Sequence, residues 1–239
     1  MSLTIRAAAI TEIGRVRRTN EDRFLCDAES GLFAVADGIG GLPHGARAAQ
    51  ATIDSLRPHF ESRARRSVLA ITVAIEKTSQ MVAKLGRQIS PEIGIGSTLT
   101  LGAVNGDHLI IGHVGDSCCW SLRGASVVPL TTDQNLGRAL AEHFVDHPEA
   151  KTSHSNLRAL TQCIGQPTPL RIDTAIHDLT SGEKILFATD GLTGFLSPAE
   201  IAETFASDLD LSQQLASLID QVNQRGSPDN ATAIILGIT

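Results

Sequence analysis

Leu32-Phe33-Ala34-Val35-Ala36-Asp37-Gly38-Ile39-Gly40-Gly41 opens with five apolar residues in a row and stops at an aspartate in a glycine-rich turn. A run of that length with no alternating polar positions suits a short strand covered on both faces. Glycine after the aspartate lets the main chain approach a ligand, so Asp37 is presented at a strand end with room beside it. The pattern recurs. Asp116 follows Leu109 to Gly115, and Asp190 follows Ile185 to Thr189. Asp229 stands just before the apolar run Ala231 to Ile238, as Glu21 and Asp22 stand before Arg23 to Asp27. In an antiparallel sheet the end of one strand lies beside the start of its neighbour, so these carboxylates are expected along one sheet edge.

Around them the chain alternates sheet and helix patterns. Apolar residues recur at three- and four-residue steps from Gly45 to Phe60 and from Arg66 to Ile89, which predicts two helices packed on a sheet. Strands are expected over Ser97 to Val104, His108 to Val114, Cys118 to Leu122 and Val127 to Leu130, the first two joined by the hairpin turn Asn105-Gly106. Residues 131–165 are polar, irregular and rich in His, and are expected to form a small flap with one short helix near Leu136 to Phe144. After a strand at Arg171 to His177, Ser197-Pro198-Ala199-Glu200 reads as a capping box with proline at the first helical position. A last helix through Leu211, Leu215, Leu218, Ile219 and Val222 is closed by Gly226. No repeat or Ser/Pro/Gly-rich linker interrupts this order, so one domain is expected over residues 1–239.

Composition removes several function classes. A formal net charge of -6 argues against nucleic-acid binding, which needs clustered Lys and Arg, and with one Trp and no Tyr there is little material for base stacking. The four cysteines, Cys26, Cys118, Cys119 and Cys163, form no CxxC pair and read as reduced core thiols. No apolar run approaches the ~18 residues of a membrane span, and the N-terminus lacks a secretory pattern. The expectation is a cytoplasmic monomer without membrane contact.

Carboxylates gathered at one place repel and take up protons unless a cation neutralises them. With oxygen donors and no Cys/His cluster at zinc spacing, Mg²⁺ or Mn²⁺ fits better than Zn²⁺. Gly38 can offer its backbone carbonyl beside Asp37. Two such ions sharing a water would generate hydroxide near neutral pH for attack on phosphorus. Asp before Gly is also ordinary turn chemistry, and that reading suffices for any one of these residues. It accounts poorly for all of them at matching strand ends.

The motifs, taken in order, resemble the metal-dependent, type 2C serine/threonine protein phosphatases in their compact bacterial form. Arg17-Arg18-Thr19-Asn20-Glu21-Asp22 looks like that family's opening motif, Asp37-Gly38-Ile39-Gly40-Gly41 its DGxGG signature, and Gly96-Ser97-Thr98 its GST strand. Gly115-Asp116-Ser117, Leu130 to Asp133, Leu160 to Gly165, Thr189-Asp190-Gly191-Leu192 and Asp229-Asn230-Ala231-Thr232 continue in the family's order. The resemblance implies an α+β fold, a four-layer α-β-β-α sandwich of two antiparallel sheets flanked by helix pairs. It implies metal-dependent hydrolysis of phosphoserine and phosphothreonine on proteins, opposing a serine/threonine kinase. By the same resemblance Asp22, Asp37, Asp190 and Asp229, with the Gly38 carbonyl, hold two central ions, and Glu21 binds through water. Asp116 with Asp190 holds a third, weaker ion, and Arg17 grips the substrate phosphate with its planar fork of donors.

Departures from the family pattern bear on rate and regulation. Leu42 stands where bacterial members carry histidine, and His44 two places later is the remaining candidate proton donor, or else a residue of the helix start. Cys118 and Gln162 replace arginines, and Gln134 replaces histidine. The rival reading of another class is a noncatalytic regulator that keeps the fold and binds phosphoproteins without turnover, although no central ligand is missing. A dinucleotide-binding oxidoreductase, suggested by Gly38-Ile39-Gly40, fails because the third glycine of that fingerprint falls at Pro43.

Overall fold

Every residue of Leu32–Ala36 is buried, and its two sets of alternate side chains serve different cores. Phe33 and Val35 point into one apolar cluster, while Leu32, Ala34 and Ala36 belong to another. This is the period-two geometry of a strand in an inner layer. The structure, a computed structural model, describes residues 3–60, 66–146, 157–167 and 169–239.

Among the described residues, ten strands form two antiparallel sheets. In chain order they are β1 (Ile5–Glu12), β2 (Arg23–Asp27), β3 (Leu32–Ala36), β4 (Leu99–Asn105), β5 (His108–Val114), β6 (Cys118–Arg123), β7 (Ser126–Pro129), β8 (Asp173–Asp178), β9 (Lys184–Ala188) and β10 (Ala231–Ile238). One sheet has the order β1-β10-β9-β6-β7, the other β2-β3-β4-β5-β8. Between them lie Phe33, Leu109, Ile111, Phe187, Ile234 and Leu236, with the Phe33 and Phe187 rings stacked at 6.4 Å across the interface. Helices α1 (Gly45–Asp54) and α2 (Val68–Ile89) cover the second sheet, through Ala49, Ile53, Ile71 and Ile75. On the first sheet α5 (Pro198–Phe205) and α6 (Leu211–Gln224) bury Ile201, Phe205, Leu215 and Leu218. Short helices α3 (Leu136–Asp146) and α4 (Asp190–Thr193) complete the set. The expected four-layer α-β-β-α sandwich is therefore the architecture observed. Among the described residues, no helix is long and apolar enough to cross a membrane.

Local chemistry sets the helix ends. Ser67 accepts from the Ala70 amide, and the expected Ser197–Glu200 capping box is present. A second box, Asp210 with Gln213, opens α6. The helix expected to continue to Phe60 instead stops at Asp54 and resumes as one 3-10 turn, Arg57–His59. Pro58 lacks an amide hydrogen and cannot join the helical ladder, yet Leu56 and Phe60 still reach the core. Strand β1 carries no clear strand pattern in sequence, because alanine-rich Ile5–Glu12 has weak strand propensity; its register against β10, Ile5 opposite Ile238, holds it. Within the expected flap, α3 is present and isolated bridges join Asn135 to Leu160 and Ser97 to Ile164. Residues 147–156 of that segment lie outside the described residues.

Glu183 ties the two sheets together. Its side chain is fully buried and accepts from Ser121 and Arg123 of β6, from His177 of β8 and from the Thr180 amide. A buried acceptor with this many donors leaves several of them unpartnered when removed. Glu183→Ala is expected to lower unfolding free energy by about 2 kcal/mol, read as a lower urea midpoint at unchanged slope. An unmoved midpoint would show that the sheets are held by apolar packing alone.

Candidate active site

Strand pairing brings the carboxylates together. Arg23 lies opposite Ala36, so Asp22, just before β2, and Asp37, just after β3, leave one sheet side by side. In the other sheet Ala233 lies opposite Ala188, which places Asp190 at the start of α4 near Asp229 ahead of β10. Asp116 follows β5. The expected single sheet edge is thus corrected: the residues come from both sheets and meet because the sheets stack face to face. Asp37, Asp116, Asp190 and Asp229 line one open cleft of about 480 Å³, together with Arg17 and Arg158. Asp22 is buried beneath them.

Crowding shows in their proton affinities. Burial, then partly offset by the hydroxyls of Thr232 and Thr189, lifts Asp22 from 3.8 to about 6. Asp37 is raised well above its ordinary value by burial and by the charges of Asp22, Asp190, Asp229 and Asp116. Burial, with Asp190 and Asp133, lifts Asp116 to about 7, and burial with Asp229 raises Asp190.

A hydroxyl network fixes the cluster. Thr98 Oγ1 accepts from the Asp37 amide at 2.9 Å and meets Ser117 Oγ at 2.7 Å, so one side chain just ahead of β4 ties the turns that carry Asp37 and Asp116. Thr189 Oγ1 donates to Asp22 Oδ2 at 2.8 Å and accepts from the Thr232 amide. Gln134 Oε1 accepts from the Gly115 amide at 2.9 Å while its Nε2 donates to Asp173. Close backbone approach does the remaining work, since a Cβ on Gly38 would come 2.4 Å from the Gly45 backbone and one on Gly45 would meet Glu21 Oε1. The Glu21 amide donates to Asn230 Oδ1.

Two arginines face the acids. Arg17 Nη2 donates to Asp229 Oδ2 at 2.8 Å, and its guanidinium lies over Gly40, where a Cβ would come within 3.0 Å of it. Arg158, which the sequence reading missed, sets Nη1 3.9 Å from Asp190 Oδ2 and lies over the Phe195 ring at 5.8 Å. It sits in the irregular segment, where no periodicity marks a residue. His44 is exposed at the start of α1, in a left-handed conformation with φ 63°, and is not among the residues lining the cleft. Leu42 does line it, beside Cys163.

The donors suit a hard cation. They are all oxygens in a crowded negative cluster, and Asp22 Oδ1 is buried without a hydrogen-bond partner. Among the described residues no three Asp, Glu, His or Cys side chains are already closed into a ligand group. As placed, Asp229 engages Arg17 and Asp22 engages the Thr189 hydroxyl.

The sequence profile described as Protein phosphatase 2C matches residues 15–234. The chain belongs to the protein phosphatase 2C family. It is accordingly a protein serine/threonine phosphatase, a phosphoric monoester hydrolase. Protein phosphatase PhpP of Streptococcus pneumoniae is 28% identical over 236 residues, 96% of each chain. The serine/threonine phosphatase of S. agalactiae superposes with a TM-score of 0.86 at 29% identity, over 98% of this chain and 100% of that one. The catalytic domain of PstP, in a structure with two manganese ions, gives 0.83 at 25% identity over the whole of both chains.

For this phosphatase the crowded acids dictate a stability profile. With divalent ions chelated, the raised Asp22 and Asp116, at about 6 and about 7, hold protons that the unfolded chain released near 3.8. The folded state binds more protons in that window, so stability falls as pH rises through it. Melting in EDTA is expected to drop between about pH 4.5 and 7.5, and Mn²⁺ to restore it most at the upper end. A melting temperature that rises across this range would contradict the crowding.

Proposed function

We propose that the chain hydrolyses phosphoserine and phosphothreonine on proteins through a pair of divalent cations held by Asp22, Asp37, Asp190, Asp229 and the Gly38 carbonyl. The observation that carries this reading is the meeting of these carboxylates, from remote stretches of both sheets, in and just beneath one cleft, where burial raises the proton affinity of Asp22, Asp37 and Asp190. Bound there, Mg²⁺ or Mn²⁺ would supply the positive charge that activates a water and offsets charge on the transferred phosphoryl group. The PstP structure with two manganese ions supports two central ions.

The chain's own residues do the positioning. Glu21, set against Gly45, orients outer-sphere water. Asp116, tied to Asp37 through Thr98 and Ser117, joins Asp190 in a third, weaker site. Arg17, which engages Asp229 as placed, would turn its fork of donors to the substrate phosphate, and Asp229 would help hold the ions. Arg158, on the same cleft, adds positive charge beside Asp190. The substrates are phosphorylated proteins made by an opposing serine/threonine kinase.

A phosphothreonine peptide should be turned over with Mn²⁺ and not after chelation. Asp190→Ala should lower kcat/KM by on the order of 100-fold or more, since losing a ligand exceeds losing an outer-shell partner. A noncatalytic regulator would instead bind the peptide without turnover, and Asp190→Ala would leave that binding unchanged.

A further inference from the structure

The cleft does not end at the carboxylates. Leu42 and Cys163 also wall a neighbouring cavity of about 410 Å³, bounded by Arg87, Pro91, Ile93 and Pro167 at the end of α2 and across from it. Arg87 and Pro167 then wall a further cavity of about 570 Å³ that runs along α2 to Glu76. Shared wall residues set these cavities in a row beside the phosphatase cleft, a trough along this face of the molecule.

Its dimensions suit a polypeptide. Glu76, Gln80, Ala83 and Arg87 recur at steps of four, three and four, so they form one face of α2. At ~1.5 Å per residue that face is about 16 Å long, the length of about five extended residues at ~3.3 Å each. The chemistry is specific as well. Ile93 is 66% exposed, a large apolar side chain left in water on the trough wall. Leu42, which lines both the cleft and the cavity next to it, makes the junction between them apolar. Arg87 is exposed and, among the described residues, has no ion pair or hydrogen-bond partner. Glu76 and Glu92 flank it on the lining, so the trough accommodates an isolated acidic side chain near Arg87 and disfavours a run of them.

We propose that this trough receives the substrate polypeptide beside its phosphorylated residue, in extended form, with an apolar side chain against Leu42 and Ile93 and an acidic side chain at Arg87. The proposal rests on the phosphatase reading above and names the kind of segment that reading acts on. A row of cavities that starts at the reacting centre favours the substrate's own flanking chain over an unrelated ligand, and extended recognition needs only a groove with pockets for alternate side chains.

The test uses Arg87→Glu and Ile93→Asp, both at exposed positions outside the carboxylate cluster. Turnover is measured on p-nitrophenyl phosphate, too small to reach the trough, and on phosphothreonine peptides in which one aspartate is moved stepwise away from the phosphorylated residue on either side. Wild type should favour one aspartate position. Arg87→Glu should lower kcat/KM for that peptide by roughly five- to tenfold, as expected for reversing one partly exposed charge contact. It should prefer lysine there, and leave p-nitrophenyl phosphate unchanged. Ile93→Asp should weaken all the peptides alike. Peptide kcat/KM unchanged in both variants, with wild-type turnover intact, overturns the trough alone. A change in oligomeric mass with unchanged peptide kinetics would also overturn it, by showing a contact between copies. Absence of wild-type turnover on every substrate overturns the phosphatase reading and the trough with it.

Discussion

Mutual repulsion among carboxylates at one end of the sandwich is the constraint to which the rest of the molecule answers. Asp22, Asp37, Asp116 and Asp190 all have raised proton affinity, with burial as the largest cause in each. Such a cluster opposes its own folding at neutral pH, so the scaffold around it must be rigid and independently stable. Packing supplies that. Three apolar clusters, one between the sheets and one under each helix layer, surround the strands from which these residues project. The acids sit at strand ends, where a sandwich can present side chains without interrupting its ladders.

Rigidity at the strand ends depends on hydroxyls more than on ion pairs. Thr98 and Ser117 connect the Asp37 and Asp116 turns, and Thr189 bridges Asp22 to the Thr232 amide. Each hydroxyl both accepts and donates, so it orients a carboxylate or its main chain without adding charge to an already crowded field. The same economy explains the close glycine contacts. Gly38 and Gly45 touch backbone to backbone, which brings Glu21 and Asp37 into one neighbourhood.

Much of this was legible in the sequence. The buried run Leu32–Ala36, the strand-end placement of Asp37, Asp116, Asp190 and Asp229, and the Ser197 capping box all depend on local pattern, and local pattern is what a sequence displays. What escaped depends on partners far along the chain. Strand β1 is held by pairing with the last strand, and alanine-rich sequence carries little preference of its own. That the acids come from two stacked sheets is a matter of topology, which strand order in sequence does not fix. Arg158 reaches the cleft from an irregular segment without periodicity, so no spacing distinguished it from any surface arginine.

The departures from the family pattern have a common electrostatic sense. Gln134, where relatives carry histidine, is buried with both ends of its amide engaged, holding Gly115 and Asp173. It supplies the geometry of a tether with no charge. Cys118, in an arginine position, is sealed in the core under α4 and α5, where an ionised side chain would be costly. Gln162 accepts from Gln166 and from the Arg171 amide, and so braces its own loop. All three are uncharged, while Asp116 and Asp133 both have raised proton affinity through burial. Counter-charge at the cleft therefore falls to Arg17 and Arg158, and Arg17 as placed already engages Asp229. Among the described residues Arg158 is the cation that lowers the proton affinity of Asp116, against burial and the charges of Asp190 and Asp133 that raise it.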